Sequence, residues 1–182
     1  YREYWGETGG ITVSGGEPLL QLDFLIELFE RTKAKGVNTC LDTAAGPFTR
    51  EPTWLARFRR LMDATDLVLL DLKHIDAAAH RDLTGTDNAN VLDAAKYLSE
   101  IGKSVWIRHV LVPGVTDDAD ALTRLGAFIR TLGNVRKVEV LPYHTLGAAK
   151  WKALGLNYSL EGVKPPSEAS LALARRILES EN

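Results

Sequence analysis

Cysteine is almost absent from this chain: Cys40 is the only one in 182 residues. That excludes a disulfide framework, and it excludes an iron–sulfur cluster held by the chain's own thiolates. A reducing, cytoplasmic setting is the default expectation. An excess of either charge is also lacking. The formal balance is −2 with 25% charged residues, which argues against a nucleic-acid footprint. No apolar run approaches the ~18 residues of a membrane helix, and no signal-peptide pattern opens the chain, so no membrane role is expected. An initiator methionine is missing too, and Tyr1-Arg2-Glu3-Tyr4-Trp5 reads as the end of a helix. What is present, 45% hydrophobic residues over 182 positions, suffices for one domain spanning residues 1–182 with a sizeable core.

The most informative stretch is Gly9-Gly10-Ile11-Thr12-Val13-Ser14-Gly15-Gly16-Glu17-Pro18. Ile11, Thr12 and Val13 are β-branched and suit a short strand. The two glycines that follow free the backbone for unusual dihedrals and keep side chains out of the way of a ligand. Pro18 ends the strand and can open a helix. Glu17 is then a carboxylate at a strand's C-terminal end, where α/β proteins bind ligands.

The rest of the chain continues the alternation. Leu22, Leu25, Ile26 and Phe29 mark a helix face, with Lys33, Lys35 and Gly36 as its stop. Val37–Leu41 is a second strand ending in Asp42-Thr43. A helix through Trp54, Leu55, Phe58, Leu61 and Met62 opens at Pro52-Thr53. The unbroken apolar run Leu67–Leu70 is a third strand, ending in Asp71-Leu72-Lys73-His74. Two helical pieces follow, Asp76–Leu83 and Val91–Ile101. Val105–Val112 is a fourth strand, a helix begins at Asp117, and Val135–Leu141 is a fifth strand ending in Pro142-Tyr143-His144. Residues 145–166 show no period and read as a long loop, before a last helix Glu168–Leu178 capped by Ser167. Five βα units predict a parallel α/β sheet. They are too few to close an eight-stranded barrel. A partial open barrel is therefore expected, with a flat doubly wound sheet as the alternative.

Parallel strands place their C-terminal ends on one rim. Glu17, Asp42, Thr43, Asp71, Lys73, Arg108 and His144 all lie on the strands or just past their ends, and a single cavity is expected to gather Glu17, Asp42, Asp71 and His144. Each alone has an ordinary reading as a turn former, a solvated charge or a satisfied histidine. Their recurrence at equivalent places on successive strands favours a shared site.

Ser14-Gly15-Gly16-Glu17, Leu41-Asp42-Thr43, Leu70-Asp71-Leu72-Lys73, Val105-Trp106-Ile107-Arg108, Leu141-Pro142-Tyr143-His144 and the tail Gly162-Val163-Lys164-Pro165-Pro166 together resemble the radical SAM activases of glycyl radical enzymes. The likeness runs over essentially the whole chain. It implies a truncated radical SAM barrel that uses S-adenosylmethionine (SAM) and a [4Fe–4S] cluster. The activity implied is release of a 5′-deoxyadenosyl radical that takes hydrogen from a glycine of a partner such as pyruvate formate-lyase, with an electron donor such as flavodoxin. By the same resemblance Gly15, Gly16 and Glu17 would hold the SAM ammonium and His144 would contact SAM. Arg108 would position the partner's glycine loop. Asp71 and Lys73 would serve catalysis near the SAM carboxylate. Asp42, Thr43, Asp71 and the Leu70 carbonyl would ligate a monovalent cation.

One departure is large. The family's C-x3-C-x2-C cluster motif is not in this sequence, and Cys40, within a strand, reads as a small buried hydrophobe. The expectation is a fragment lacking about one βα unit of some thirty residues. It would be inactive by itself, with an exposed sheet edge that favours association. A cluster-free module that binds SAM or a glycyl radical enzyme without chemistry is the alternative. A phosphate-binding barrel enzyme is disfavoured, because Glu17 would set a negative charge beside the anion.

Overall fold

The structure is a computed structural model, and it describes residues 2–6, 9–145, 153–155 and 157–179. Five strands, β1 (Gly10–Val13), β2 (Asn38–Thr43), β3 (Leu67–Asp71), β4 (Val105–Leu111) and β5 (Val135–Pro142), are hydrogen-bonded in chain order. β1 and β2 pair in parallel with Thr12 opposite Cys40, and β2 and β3 with Asp42 opposite Leu69. Strictly sequential order has no switch point, which excludes the doubly wound alternative and matches barrel-type winding. The order is open, with β1 at one edge as expected.

The chain forms two compact units. The first comprises residues 1–72, 89–107 and 132–137. In it, helix α1 (Arg2–Trp5) precedes β1, and a 3-10 turn (Pro18–Gln21) leads into α2 (Leu22–Lys33). Next come α3 (Pro52–Asp63) and, beyond the second unit's first segment, the helix Ala89–Glu100. Alternation along the strands decides which face is covered. Thr39, Leu41 and Thr43 of β2, with Val68 and Leu70 of β3, are buried, as are Leu25, Ile26 and Phe29 of α2 and Leu61 and Met62 of α3. Each large apolar side chain so buried contributes roughly 1.5–3 kcal/mol. Phe48, fully buried, packs edge-on against Trp54 and Phe58 at 5.5 and 5.4 Å. α3 starts at Pro52 as expected, and its cap is Glu51, whose carboxylate accepts from Thr53 N and Trp54 N.

The second unit comprises residues 73–88, 108–131 and 138 onward. It holds α4 (Ala77–Thr84), which ends at Gly85 with φ +85°, and α6 (Ala119–Arg130); α5 is the helix Ala89–Glu100 named above. The cap of α6 is Asp118 rather than Asp117. The Asp118 carboxylate accepts from Ala121 N, whereas Asp117 accepts from Gly114 N and closes the preceding turn. The last helix, α7 (Glu168–Leu178), is capped by Ser167 as expected and lies close to α6 at Gly126, where an added Cβ would meet Ile177 O at 3.1 Å. Of the stretch read as a loop, residues 146–152 and 156 lie outside the described residues, and 157–166 carry only turns.

The N-terminal end of β3 in the first unit holds a stability prediction. Asp66 receives Lys33 Nζ at 2.7 Å and Thr39 N at 2.9 Å. Burial works to raise its carboxyl, but the hydrogen bonds from Lys33 and Thr39 outweigh that and hold it below the ordinary aspartate range. Both ion-pair side chains are 38% exposed, so the pair itself adds little. Asp66→Ala should cost about 1–2 kcal/mol, mostly through the orphaned Thr39 N–H. A carboxyl depressed in the folded state contributes stability above its unfolded value of about 4 and loses it as pH falls through the folded value. Thermal melts should therefore show a gap between wild type and variant at neutral pH that closes below about pH 4.

Candidate active site

The best-defined polar construction joins the exits of β1 and β2. Glu17 is half-buried, and its carboxylate gathers three donors. Leu19 N reaches Oε1 at 3.0 Å, the Thr43 hydroxyl reaches Oε1 at 2.6 Å, and Ala44 N reaches Oε2 at 3.0 Å. The Thr43 oxygen in turn accepts from Ala45 N at 2.8 Å. A carboxylate offers about four acceptor positions, so one remains, on Oε2. Among the described residues no lysine, arginine or histidine pairs with Glu17. The result is an oriented, partly desolvated negative charge with one acceptor position left over. A ligand cation answers all three features.

Beside it, Ser14, Gly15, Gly16, Glu17, Gln21 and Phe24 help to line a cavity of about 150 Å³. Gly15 and Gly16 are exposed, and neither has a positive φ, so the expected unusual dihedrals are not what these glycines supply. An added Cβ at either would meet nothing within 4 Å. Neither backbone strain nor internal packing calls for glycine here.

Asp42 and Asp71 share a sheet face. Asp42 lies opposite Leu69, and Asp71 is two residues further along β3, hence a diagonal neighbour on the same side. Thr43, one residue on from Asp42, points the other way and is 4% exposed. The face with Asp42 and Asp71 also carries Cys40. Cys40 is half-exposed and helps line a cavity of about 290 Å³ with Thr12, Asp66, Leu67, Leu69 and Trp106. The expectation that Cys40 is buried is thus corrected. The Thr39–Leu41–Thr43 side of β2, the strand against which α2 packs, is buried, whereas the Cys40 side is partly exposed. In the second unit Lys73 and Arg108 are half-buried, His144 is exposed, and the buried Tyr143 hydroxyl pairs with Tyr158 at 2.8 Å. Sequence reading missed Leu19, Ala44 and Ala45, which act through main-chain N–H groups that no side-chain pattern reveals.

The sequence profile described as the radical SAM superfamily matches residues 1–125. A pyruvate formate-lyase-activating enzyme of Streptococcus mutans is 52% identical over 181 residues, covering all of this chain and 69% of that protein. The chain belongs to the radical SAM superfamily, among its pyruvate formate-lyase-activating enzymes. The corresponding enzyme of Listeria monocytogenes is also 52% identical, over 99% of this chain and 73% of its own length. A solved domain of pyruvate formate-lyase-activating enzyme from Bacteroides vulgatus superposes with a TM-score of 0.76 at 26% identity, covering 93% of this chain and 92% of that one. The open parallel sheet is accordingly the partial (β/α) barrel of radical SAM proteins. No helix among the described residues is long and apolar enough to cross a membrane.

Membership implies SAM and a [4Fe–4S] cluster as cofactors and a glycyl radical enzyme as partner. The two cofactors fit these residues differently. One cysteine cannot supply the thiolates of a cluster, so cluster ligation does not belong to residues 1–182. SAM fits, because its ammonium is a cation suited to the Glu17 carboxylate, which pairs with none among the described residues.

Proposed function

We propose that this chain carries the SAM-holding and substrate-orienting part of a glycyl-radical activation reaction. The observation that carries the reading is Glu17, with three internal donors, no cationic partner among the described residues, and two glycines beside it that the fold does not require. With SAM and a reduced cluster bound, the cofactors would supply the electron and the radical chemistry that removes hydrogen from a glycine of the partner. The chain's residues do the holding. Glu17 accepts a charge-assisted hydrogen bond from the ammonium, and Gly15 and Gly16 let the methionyl group approach the backbone. Lys73 balances the SAM carboxylate, with Asp71 as its companion, and both are assigned to catalysis. His144 contacts SAM, and Arg108 orients the glycine-bearing loop of the partner. Asp42 and Asp71, which share a face, would hold a monovalent cation through hard oxygen ligands, together with Thr43 and the Leu70 carbonyl. These assignments rest on the family resemblance together with the positions described above. The names of the relatives support pyruvate formate-lyase as the partner, and the resemblance alone supports flavodoxin as the electron source. The single cysteine favours a second reading for the chain in isolation, a module that binds SAM or the partner without turnover.

Gly15→Ala and Gly16→Ala test the reading. A methyl group placed in open space at ordinary φ should leave the melting temperature unchanged or slightly raised, by the equivalent of ~0.4–1 kcal/mol. SAM affinity, measured by equilibrium dialysis, should fall at least tenfold. Unchanged affinity in both variants would remove this loop from the site.

A further inference from the structure

Thr43 entered the resemblance as one of several oxygen ligands for a cation, yet its hydroxyl is engaged elsewhere. It donates to Glu17 Oε1 at 2.6 Å and accepts from Ala45 N at 2.8 Å. Ala45 is the only non-glycine among the described residues with a positive φ, +55°, and it is 2% exposed. An alanine held in the left-handed region is strained, and such strain persists only where surrounding contacts enforce it. Here the contacts are visible. Ala45 N is bound to Thr43, Ala45 O accepts from Phe48 N at 3.1 Å, and Phe48 is fully buried in the aromatic cluster. The adjacent Ala44 N is the donor to Glu17 Oε2. The turn after β2 therefore places one hydroxyl and one N–H on the two oxygens of a carboxylate from the turn after β1.

We propose that Thr43 is a positioning residue for SAM: with the left-handed turn at Ala45, it sets the plane of the Glu17 carboxylate so that the remaining Oε2 position faces the methionyl ammonium. This rests on the reading that Glu17 receives that ammonium. It differs from a merely structural role, because the three donors act on both carboxylate oxygens at once. A Glu17 bound to Leu19 N alone could still cap the 3-10 turn while rotating about its final torsion. Fixing that torsion matters for a ligand, not for the cap.

The test measures equilibrium binding to the cluster-loaded holoenzyme, with the cluster kept oxidised so that no turnover occurs. Two probes are used: SAM, and 5′-methylthioadenosine, which keeps the nucleoside and sulfur but has neither ammonium nor carboxylate. Thr43→Val, which replaces the hydroxyl by a methyl of similar size, should weaken SAM on the order of tenfold, as expected for loss of one charge-assisted hydrogen bond. Binding of 5′-methylthioadenosine should be unchanged, and Thr43→Ser should restore SAM binding to near wild type. In the Glu17→Gln background, Thr43→Val should add little, since the two residues act as one unit. If Glu17→Gln weakens SAM but Thr43→Val does not, the positioning role is overturned and the Glu17 reading stands. If Glu17→Gln has no effect on SAM, the underlying reading fails and this inference with it. Equal weakening of both probes by Thr43→Val would also overturn the proposal, by showing general damage to the site. Should Thr43→Val fail to fold, Ala45→Gly decides in its place. Relief of the strained turn should keep or raise the melting temperature while SAM, and not 5′-methylthioadenosine, binds severalfold more weakly. Unchanged SAM binding in that variant would overturn the proposal.

Discussion

Glu17→Ala is expected to lower SAM affinity by roughly thirtyfold to several thousandfold, the equivalent of ~2–5 kcal/mol for removing one partner of a partly desolvated charge pair. The expectation follows from the contacts of the carboxylate. Three internal donors orient it, and no cation among the described residues pairs with it, so on the proposed reading the ligand's ammonium is the opposite charge that the variant would lose. The same substitution orphans Leu19 N, Ala44 N and the Thr43 hydroxyl. Water can reach the exposed Ser14–Gly16 segment but not the buried Thr43 side, so the stability cost should be about 1–3 kcal/mol. Glu17→Gln separates the two effects. Its amide oxygen can still accept from Leu19 N and Thr43, while its NH₂ group meets the Ala44 N–H and carries no charge. Calorimetric titration with SAM, beside thermal melts, should show affinity lost in both variants and stability lost chiefly in Glu17→Ala. A glutamine variant that binds SAM like wild type would mean that charge at this position is not what the site uses.

The second large effect is expected at Lys73. It lies two residues beyond Asp71, the last residue of β3, and is half-buried. If Lys73 supplies the cation that balances the SAM carboxylate, Lys73→Met removes it while keeping the length and packing of the aliphatic stem. A loss of ~2–5 kcal/mol in the transition state corresponds to a rate loss of roughly thirtyfold to several thousandfold. Glycyl radical formation on the partner, read by electron paramagnetic resonance with the cluster-loaded holoenzyme, should fall by that amount. The circular dichroism spectrum and melting temperature should change little, because Lys73 is not part of the buried apolar core. A normal radical yield would remove Lys73 from the catalytic assignment and leave the Glu17 reading standing.

Much of the architecture was legible residue by residue. The β-branched run at Ile11–Val13 and the apolar run at Leu67–Leu70 became β1 and β3, and Leu22, Leu25, Ile26 and Phe29 became the buried stripe of α2. These succeeded because hydrophobic period is a local property that burial then rewards. Three readings needed correction, for reasons that are not local. Cys40 was expected to be buried, but which side of a strand is covered depends on where the helices pack. Gly15 and Gly16 were expected to have unusual dihedrals, but neither has a positive φ, and a Cβ at either would meet nothing within 4 Å. Asp117 was expected to begin α6, but it closes the turn at Gly114 and leaves the cap to Asp118, a competition between adjacent carboxylates that sequence cannot referee.

The sequence by itself determined the fold class and the family. Alternating βα periods require a parallel sheet, and the ordered motifs from Ser14-Gly15-Gly16-Glu17 to Leu141-Pro142-Tyr143-His144 are specific as a set. It also determined that cluster ligation lies outside these residues, since one cysteine is a matter of counting. The tertiary structure alone decided the sequential strand order, because hydrophobic period carries no information about which strands become neighbours. It alone decided that Asp42 and Asp71 share a face while Thr43 points away, because that depends on register. And it alone joined Thr43 and Ala44 to Glu17, 26 and 27 positions earlier in the chain. The Ala44 bond comes from a main-chain N–H group, and every non-proline residue has one of these. Only the path of the folded backbone determines which of them reaches the carboxylate.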